Sequence, residues 1–581
     1  MSARGARSQS VKAPTEGTTV RERDLLVRGG TVVDGTGAPG READVRIRDG
    51  LVTDVDRRLE PHGEVELDAS GAFVTPGFLE THTHLDPSLF WDPTCDPLPQ
   101  HGVTTVLFGN CGLSLAPVRA TDVDEVCDVF GYIEDLPVEL LANEIPWSWE
   151  TYGEYADTVR SRSYALNVAG LVGHSVLRIY VMGDNAWERP ATADEIARMA
   201  EVLDSCMEAG AFGLSTSLGF DTDRNKRLVP SRKAEDDELR ALFEVLARQR
   251  RVLQFIPSTV PKYLTRDVRR VAELSRGLDL TQTWINVFDD DRRPEYAPSL
   301  MDLASELQAD GVATIPQVSP RQLDIEVNWD GGMSFYLMEH TWHAVLQAPP
   351  GEKRRLLGDA AWRARARDDW DTVPFTMIEH RRPANIVLVS VTDRTLERWV
   401  GRTFADLCEA RGGHPSDVLA DWVLENDLRP GVVATGVANS DPDGVARLLT
   451  HPAGVVSNSD AGAHVQMMCA TGDSTLLLTR HVRDRGDLTI EAAVHQITGR
   501  AADLFGFRDR GTVTPGGAGD LVVFALEELD WAEPTMIDDL PGGARRLRRP
   551  PGGYRATVVG GVPTQREGTL TGARPGALLR A

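Results

Sequence analysis

TPGFLETHTHLD, Thr75 to Asp86, starts inside an apolar run, Phe73–Glu80, and ends on two histidines one residue apart. The run reads as a buried strand. Residues two apart on a strand point to the same side, so His82 and His84 project together from its C-terminal end. Seven more apolar, β-branched runs follow at Thr104–Gly109, Ala165–Val172, Ala211–Ser217, Val252–Ile256, Leu280–Ile285, Val312–Val318 and Val455–Ser459. They alternate with helical patterns, the rhythm of a parallel sheet. The helix between the third and fourth runs opens on the capping box of Thr192 and Glu195, buries Ile196, Met199, Leu203 and Met207, and stops at Gly210. Eight strands close a (β/α)8 TIM barrel, whose C-terminal strand ends face the active-site mouth.

The two ends of the chain read differently. LLVRGGTVVDGTG and ADVRIRDGLVTDV, with Asp49-Gly50 at the turn, predict a small antiparallel unit, and GDLVVFAL with YRATVVGGVPTQREG, turning at Gly560-Gly561, repeats that signature near the other end. The predicted organisation is a flexible tail over 1–23, a composite β-sandwich from 24–71 and 510–581, and a barrel over 72–509. An insertion or lid over 319–452 precedes the last barrel strand. The insertion holds six of the twelve Trp, either as its own core or as an apolar wall for substrate, and we expect it to be helical.

Composition narrows the function classes. With 581 residues a large core can be buried, and a net charge of −25 argues against nucleic-acid or anionic-membrane surfaces, which need clustered Lys and Arg. No apolar stretch approaches the length of a membrane span, and Met1 to Arg23 lacks the apolar segment of a secretory signal. Six cysteines without a C-x-x-C pair suit a reducing compartment. The expected partner is a small-molecule substrate; the expected location is cytoplasmic and the expected assembly a homo-oligomer.

His82 and His84 can grip one cation. VVSNSDAGAH at the end of the eighth strand sets Asp460 where barrel closure brings strand eight beside strand one; a carboxylate there can be both ligand and proton acceptor. TTVLFGNCGLSLAP carries Cys111 just past the second strand, and its thiolate suits Zn²⁺. His340 and His343, in MEHTWHAV, are two more imidazoles within the insertion.

Together these motifs, with LVGHSVLR, GAFGLSTS and DRGTVTPGGAGDLVVF, resemble the amidohydrolase superfamily and within it the D-aminoacylases, or N-acyl-D-amino-acid deacylases. The resemblance spans nearly the whole chain. It implies metal binding by His82, His84, Cys111 and Asp460, with Asp460 also handling the proton. His174, in LVGHSVLR, would polarise or orient the substrate carbonyl, His464 would contact the substrate or back the aspartate, and Arg178 would meet a substrate carboxylate. The chain departs from that pattern at strands five and six, where further histidines are expected and Gln254, Ile256, Trp284 and Asn286 stand instead. The expected enzyme is therefore a hydrolase of C–N bonds with one divalent ion per chain, Zn²⁺ by preference, acting on an N-acyl-D-amino acid or related amide. A hydrolase or lyase of a cyclic amide or lactone, and a silent barrel used for binding, are the alternatives.

Overall fold

The computed structural model describes residues 23–258, 260–285, 287–330, 340–373, 381–457 and 459–581. The chain first lays down β1 (Leu25–Val32), β2 (Arg41–Arg48), β3 (Leu51–Asp56), β4 (Val65–Asp68) and β5 (Phe73–Pro76). Between β2 and β3, Asp49 and Gly50 take φ of 50° and 84°, the left-handed pair that a two-residue turn between twisted strands requires. β4 and β5 instead return to β1 by crossovers and pair with it in parallel, so the expected antiparallel unit is mixed.

The strand read as Phe73–Glu80 is broken in two. At Gly77 the chain passes so close to Thr104 that an added Cβ would come within 2.0 Å of its Oγ1. Beyond it, β6 (Phe78–Glu80) joins a different sheet, pairing in parallel with β7 (Val103–Phe108), which pairs with β8 (Asn167–Gly170). A second parallel sheet runs from β9 (Val172–Gly173) through β10 (Gly213–Ser217), β11 (Val252–Ile256), β12 (Gln282–Trp284) and β13 (Thr314–Val318). The two sheets meet around Leu171, whose N–H donates to Phe108 O, while the Phe212 N–H donates to Gly170 O, both at 2.9 Å.

The segment 319–452, read above as an insertion, is not purely helical. It contributes β14 (Leu323–Glu326), β15 (Ile386–Ser390) and β16 (Gly431–Ala438), an antiparallel sheet with β16 in the middle, packed with helices such as Ala360–Thr372 and Pro415–Glu425. Trp329, Trp342, Trp362, Trp370 and Trp422 are buried. The rings of Trp342 and Trp362 lie 5.2 Å apart, Trp342 Nε1 donates to Ser416 Oγ at 2.9 Å, and Trp329 Nε1 donates to Pro430 O at 2.7 Å. These buried indoles belong to one continuous apolar core with strand residues such as Val103, Leu214 and Trp284.

After the insertion, β17 (Val455–Val456) pairs with β13 in parallel. Just past β17 and β6 the far ends of the two sheets touch: Thr83 bridges Ala461 in parallel, and the His84 N–H donates to Ala461 O at 2.8 Å. Finally β18 (Leu521–Phe524) lies antiparallel against β5; β19 (Thr535–Leu540) and β20 (Ala544–Arg548) form a separate two-stranded sheet, tied to the body by Leu547 N–H on Val465 O at 2.7 Å; and β21 (Ala556–Val559), β22 (Val562–Arg566) and β23 (Thr569–Leu570) extend the first sheet to nine strands. Leu25, Val27, Val45, Ile47, Val74, Leu521, Val523 and Val558 form that sheet's own core, and each such burial is worth about 1.5–3 kcal/mol over exposure. No helix among the described residues is long and apolar enough to cross a membrane.

Candidate metal centre

The extension of β6 alternates as a strand should. Thr83 turns outward, its Oγ1 donating to Leu107 O at 3.0 Å, while His82 and His84 turn to the other side with ring centroids 5.7 Å apart. Asp460 follows β17 in the left-handed region at φ 67°, and its N–H donates to His82 O at 3.0 Å. Its Oδ1 lies 3.4 Å from both His82 Nε2 and His84 Nε2. Cys111 follows β7 through a turn in which an added Cβ at Gly109 would come within 2.5 Å of Leu171 O. It too is left-handed, at φ 60°, and its Sγ lies 3.2 Å from His82 Nε2. Backbone in this region costs a non-glycine residue of the order of 1–3 kcal/mol, so two such residues at one cluster are held there by their surroundings.

Among the described residues the ligand atoms of His82, His84 and Cys111 all lie within 4.8 Å of one another. Two nitrogen or oxygen ligands at about 2.0–2.1 Å from a tetrahedral ion stand roughly 3.3–3.4 Å apart. The two nitrogen–oxygen separations of 3.4 Å fit that span, whereas Cys111 Sγ at 3.2 Å from His82 Nε2 sits closer than the roughly 3.6 Å that the longer Zn–S bond would set; the donor set is one that zinc accepts.

Each imidazole is held from behind. Gln317 on β13 donates through Nε2 to Thr283 Oγ1 at 3.0 Å, which turns its Oε1 toward His82 Nδ1, also at 3.0 Å. His84 Nδ1 lies 3.1 Å from Oε1 of Glu134, a buried carboxyl just after the helix Val123–Ile133. No local motif marks either residue. A glutamine inside the apolar strand TIPQV and an acid in the apolar run VFGYIEDLP were the available signals.

Burial and the mutual fields of these groups pull their protonation in opposite directions. Burial pushes Glu134 up to about 8 and the Cys111 thiol up to about 12, and it lowers His82 to about 4. Burial also opposes charge on Asp460, but the hydrogen bond with His84 and the fields of His82 and His84 outweigh it and hold the carboxyl well below the usual range. His84 is raised well above an ordinary imidazole because Glu134 and Cys111 overcome its desolvation. A proton thus collects between the acids where a cation has its ligands.

His464 belongs to the same neighbourhood. It sits at φ 50°, its N–H donates to Glu134 O at 2.8 Å, and its Nε2 lies 3.9 Å from Glu134 Oε2. His174, next to Ser175 whose N–H donates to Gly112 O at 3.1 Å, and Arg178 are engaged with other partners. His174 is fully buried with Nδ1 on Thr216 Oγ1 at 2.9 Å and Nε2 on Glu238 Oε1 at 2.8 Å, so neither nitrogen is open to a substrate carbonyl. Arg178 is also fully buried, paired with Glu238 and donating to Arg189 O at 2.9 Å. Its charge is already answered by Glu238. In the insertion, His340 Nδ1 caps its helix by accepting the Trp342 N–H at 3.1 Å, and His343 Nε2 lies 3.5 Å from Tyr132 Oη; neither joins the ligand group.

At the departures on strands five and six, Gln254 Oε1 accepts the Cys111 N–H at 2.8 Å, bracing the thiol's turn, and Trp284 is buried with Nε1 on Thr314 Oγ1 at 3.1 Å. Ile256 offers no donor atom, and Asn286 lies outside the described residues.

A model of the amidohydrolase family matches residues 65–294 and 413–565 of this chain, and the unmatched stretch between falls largely in the insertion. An uncharacterised protein of Mycobacterium tuberculosis (strain ATCC 25618 / H37Rv) is 31% identical over 94% of this chain and 93% of its own length. A D-aminoacylase of Alcaligenes xylosoxydans xylosoxydans is 27% identical over 96% and 97%. Among solved structures, a D-aminoacylase described by its binuclear metal centre superposes with a TM-score of 0.66 at 24% identity, covering 96% of this chain and all of that one. The N-acyl-D-glutamate deacylase of Bordetella bronchiseptica, solved with zinc and a phosphonate mimic of the tetrahedral intermediate, gives 0.65 at 23% identity over 97% of this chain and all of that one.

Proposed function

This chain belongs to the amidohydrolase family, in its D-aminoacylase-like branch, and from that premise we propose that it hydrolyses an N-acyl-D-amino acid or a related small amide at a centre built on His82, His84, Cys111 and Asp460. The chain is a metal-dependent hydrolase of C–N bonds other than peptide bonds. The observation that carries the site assignment is the convergence of His82 Nε2 and His84 Nε2 on Asp460 Oδ1 at 3.4 Å each, with Cys111 Sγ beside His82. We read the eight parallel segments as a closed barrel, the nine-stranded sheet as a sandwich built from 24–71 and 510–581 and extended to Pro76 by β5, and 319–452 as an insertion beside the mouth.

His82, His84, Cys111 and Asp460 would hold one divalent ion, zinc by preference, which when bound polarises an acyl carbonyl and acidifies water. The rest of the chemistry falls to the protein. Asp460, ionised with Oδ1 turned to the imidazoles, keeps Oδ2 to accept the proton of the attacking water and to return it to the departing nitrogen. Gln317 keeps the His82 proton on Nδ1 and so leaves Nε2 with its lone pair toward the centre. His464, lowered chiefly by burial and therefore neutral, is set to hydrogen-bond the substrate. His174 and Arg178 take no part beyond packing. Gln254 in place of a histidine supports one ion over two, and it keeps a second reading alive, the opening of a cyclic amide or lactone.

Elemental analysis of the purified protein should find about one metal per chain, and chromatographic assay should show hydrolysis of N-acyl-D-amino acids in preference to the L forms. No metal even after zinc supplementation would end the hydrolase reading. Bound metal with no turnover across a broad acyl-amino-acid panel would transfer the assignment to cyclic substrates.

A further inference from the structure

The peptide that joins Ser459 to Asp460 is gripped on both sides. Its N–H donates to His82 O at 3.0 Å, and its carbonyl, Ser459 O, accepts from Arg321 Nη2 at 3.0 Å. Arg321 comes shortly after β13, at the start of the insertion, and is buried. It is anchored in its own right: Nε donates to Asp473 Oδ1 at 3.0 Å, and Oδ2 of the same carboxylate accepts from Ser319 Oγ at 2.7 Å. Asn439, at the far end of the insertion, donates from Nδ2 to the carbonyls of Ser319 and Arg321 at 3.1 and 3.0 Å. The turn after strand seven, the turn after strand eight and the helix that starts at Asp473 are thus tied through one guanidinium.

Asp460 needs such a tie. At φ 67° it occupies a region that side chains with a Cβ leave when released, and relaxing to negative φ would swing the peptide and carry Oδ1 away from the two imidazoles. The N–H bond and the Ser459 Oγ contact at 3.3 Å both fall on the one His82 carbonyl and leave the peptide free to pivot about it; a second grip on the Ser459 carbonyl removes the pivot. A fork of donors fixed at one end to a carboxylate is suited to this, whereas a lysine ammonium is a single point on a flexible stem.

We infer that Arg321 is a positioning residue for the centre: by holding the Ser459 carbonyl with a guanidinium anchored on Asp473, it keeps Asp460 in the left-handed conformation that aims its carboxylate at His82 and His84. This rests on the proposed reading of Asp460 only for its consequence in catalysis; the conformational claim stands apart from it. The alternative is that Arg321 merely neutralises buried Asp473.

Arg321→Lys keeps the charge beside Asp473 but cannot span both partners, and Arg321→Met with Asp473→Leu removes the ion pair as a unit, so no unpaired buried charge is left. For each variant we would measure the melting temperature, Co²⁺ and Zn²⁺ affinity by competition with a chromophoric chelator, the Co²⁺ absorption spectrum, and the crystal structure. Both variants are expected to bind the ions roughly 10–100-fold more weakly, with an altered Co²⁺ spectrum and Asp460 displaced or at negative φ. Either variant with wild-type affinity and Asp460 unmoved overturns the inference. Should the double variant fail to fold, Arg321→Lys decides. Should wild type bind no ion, the proposed function falls, and the position of Asp460 in the variant crystals alone decides on Arg321.

Discussion

Replacing Gln317 with leucine tests whether His82 is set for coordination from behind. Gln317 is fully buried, and its amide orientation is assigned by Thr283, which accepts from Nε2 at 3.0 Å and so turns Oε1 to His82 Nδ1 at 3.0 Å. Oε1 can only accept, so the His82 proton sits on Nδ1 and Nε2 carries the lone pair toward Cys111 and Asp460. Leucine is close to glutamine in size, so the change removes two hydrogen bonds with little cavity. A buried donor left unanswered costs about 1–3 kcal/mol of stability. Loss of such support for a ligating imidazole costs roughly 10–100-fold in metal affinity, about 1.4–2.7 kcal/mol. Chelator competition should show that fall in Gln317→Leu, while Gln317→Glu, which keeps an acceptor opposite Nδ1, retains most of the affinity. A Gln317→Leu protein that melts as wild type does and binds zinc equally well would refute the reasoning.

Three other outcomes are expected. Asp460→Asn keeps an oxygen toward the imidazoles but no proton acceptor, so turnover should drop by about 10²–10⁴-fold while elemental analysis still finds metal; turnover near wild type would clear Asp460 of the proton's handling. Glu64, despite its desolvation, is held at about 2 against an ordinary 4.5 by backbone N–H groups and by Arg48 and Arg46. Its folded value lies below the unfolded one, so its stabilisation is present above about pH 4.5 and is lost as pH falls toward 2; melting curves of Glu64→Gln and wild type should converge across that window, and a constant gap would refute the assignment. Trp342→Ala removes a fully buried indole packed on Trp362 and Ser416, which should cost about 3–5 kcal/mol and open the insertion to proteolysis, with metal content unchanged; loss of metal instead would mean that the insertion supports the centre directly.

The parts of this molecule that could be read from its sequence are those governed by short-range rules. Two-residue alternation put His82 and His84 on one side, turn chemistry marked Asp49-Gly50 and Gly560-Gly561, and the Thr192–Glu195 capping box formed as expected. What depended on distant partners was not legible. Nothing local to Arg178 says that Glu238 will answer its charge, or that Glu238 will also take the His174 Nε2 proton. Gln317 and Glu134 acquire their roles only because β13 and the helix Val123–Ile133 bring them behind the imidazoles. The sheet within 319–452 is not locally legible because its strands, at 323–326, 386–390 and 431–438, lie far apart in sequence and pair out of sequence order. The single run Phe73–Glu80 divides between two sheets because of a close approach to Thr104, which composition cannot announce.

That division has a bearing on how the chain matures. On the ribosome, residues 73–76 follow Thr31 and Val32, which cover one edge, but the other edge is completed by Leu521–Phe524, synthesised long afterwards. Throughout that interval an apolar strand edge stands open to improper pairing, a hazard that nascent proteins meet by chaperone shelter. Sealing of the edge therefore waits for Leu521–Phe524, and because the strand leads directly through Gly77 toward the histidines, a polypeptide lacking that partner would carry a loosened hinge at the entrance to its chemical centre.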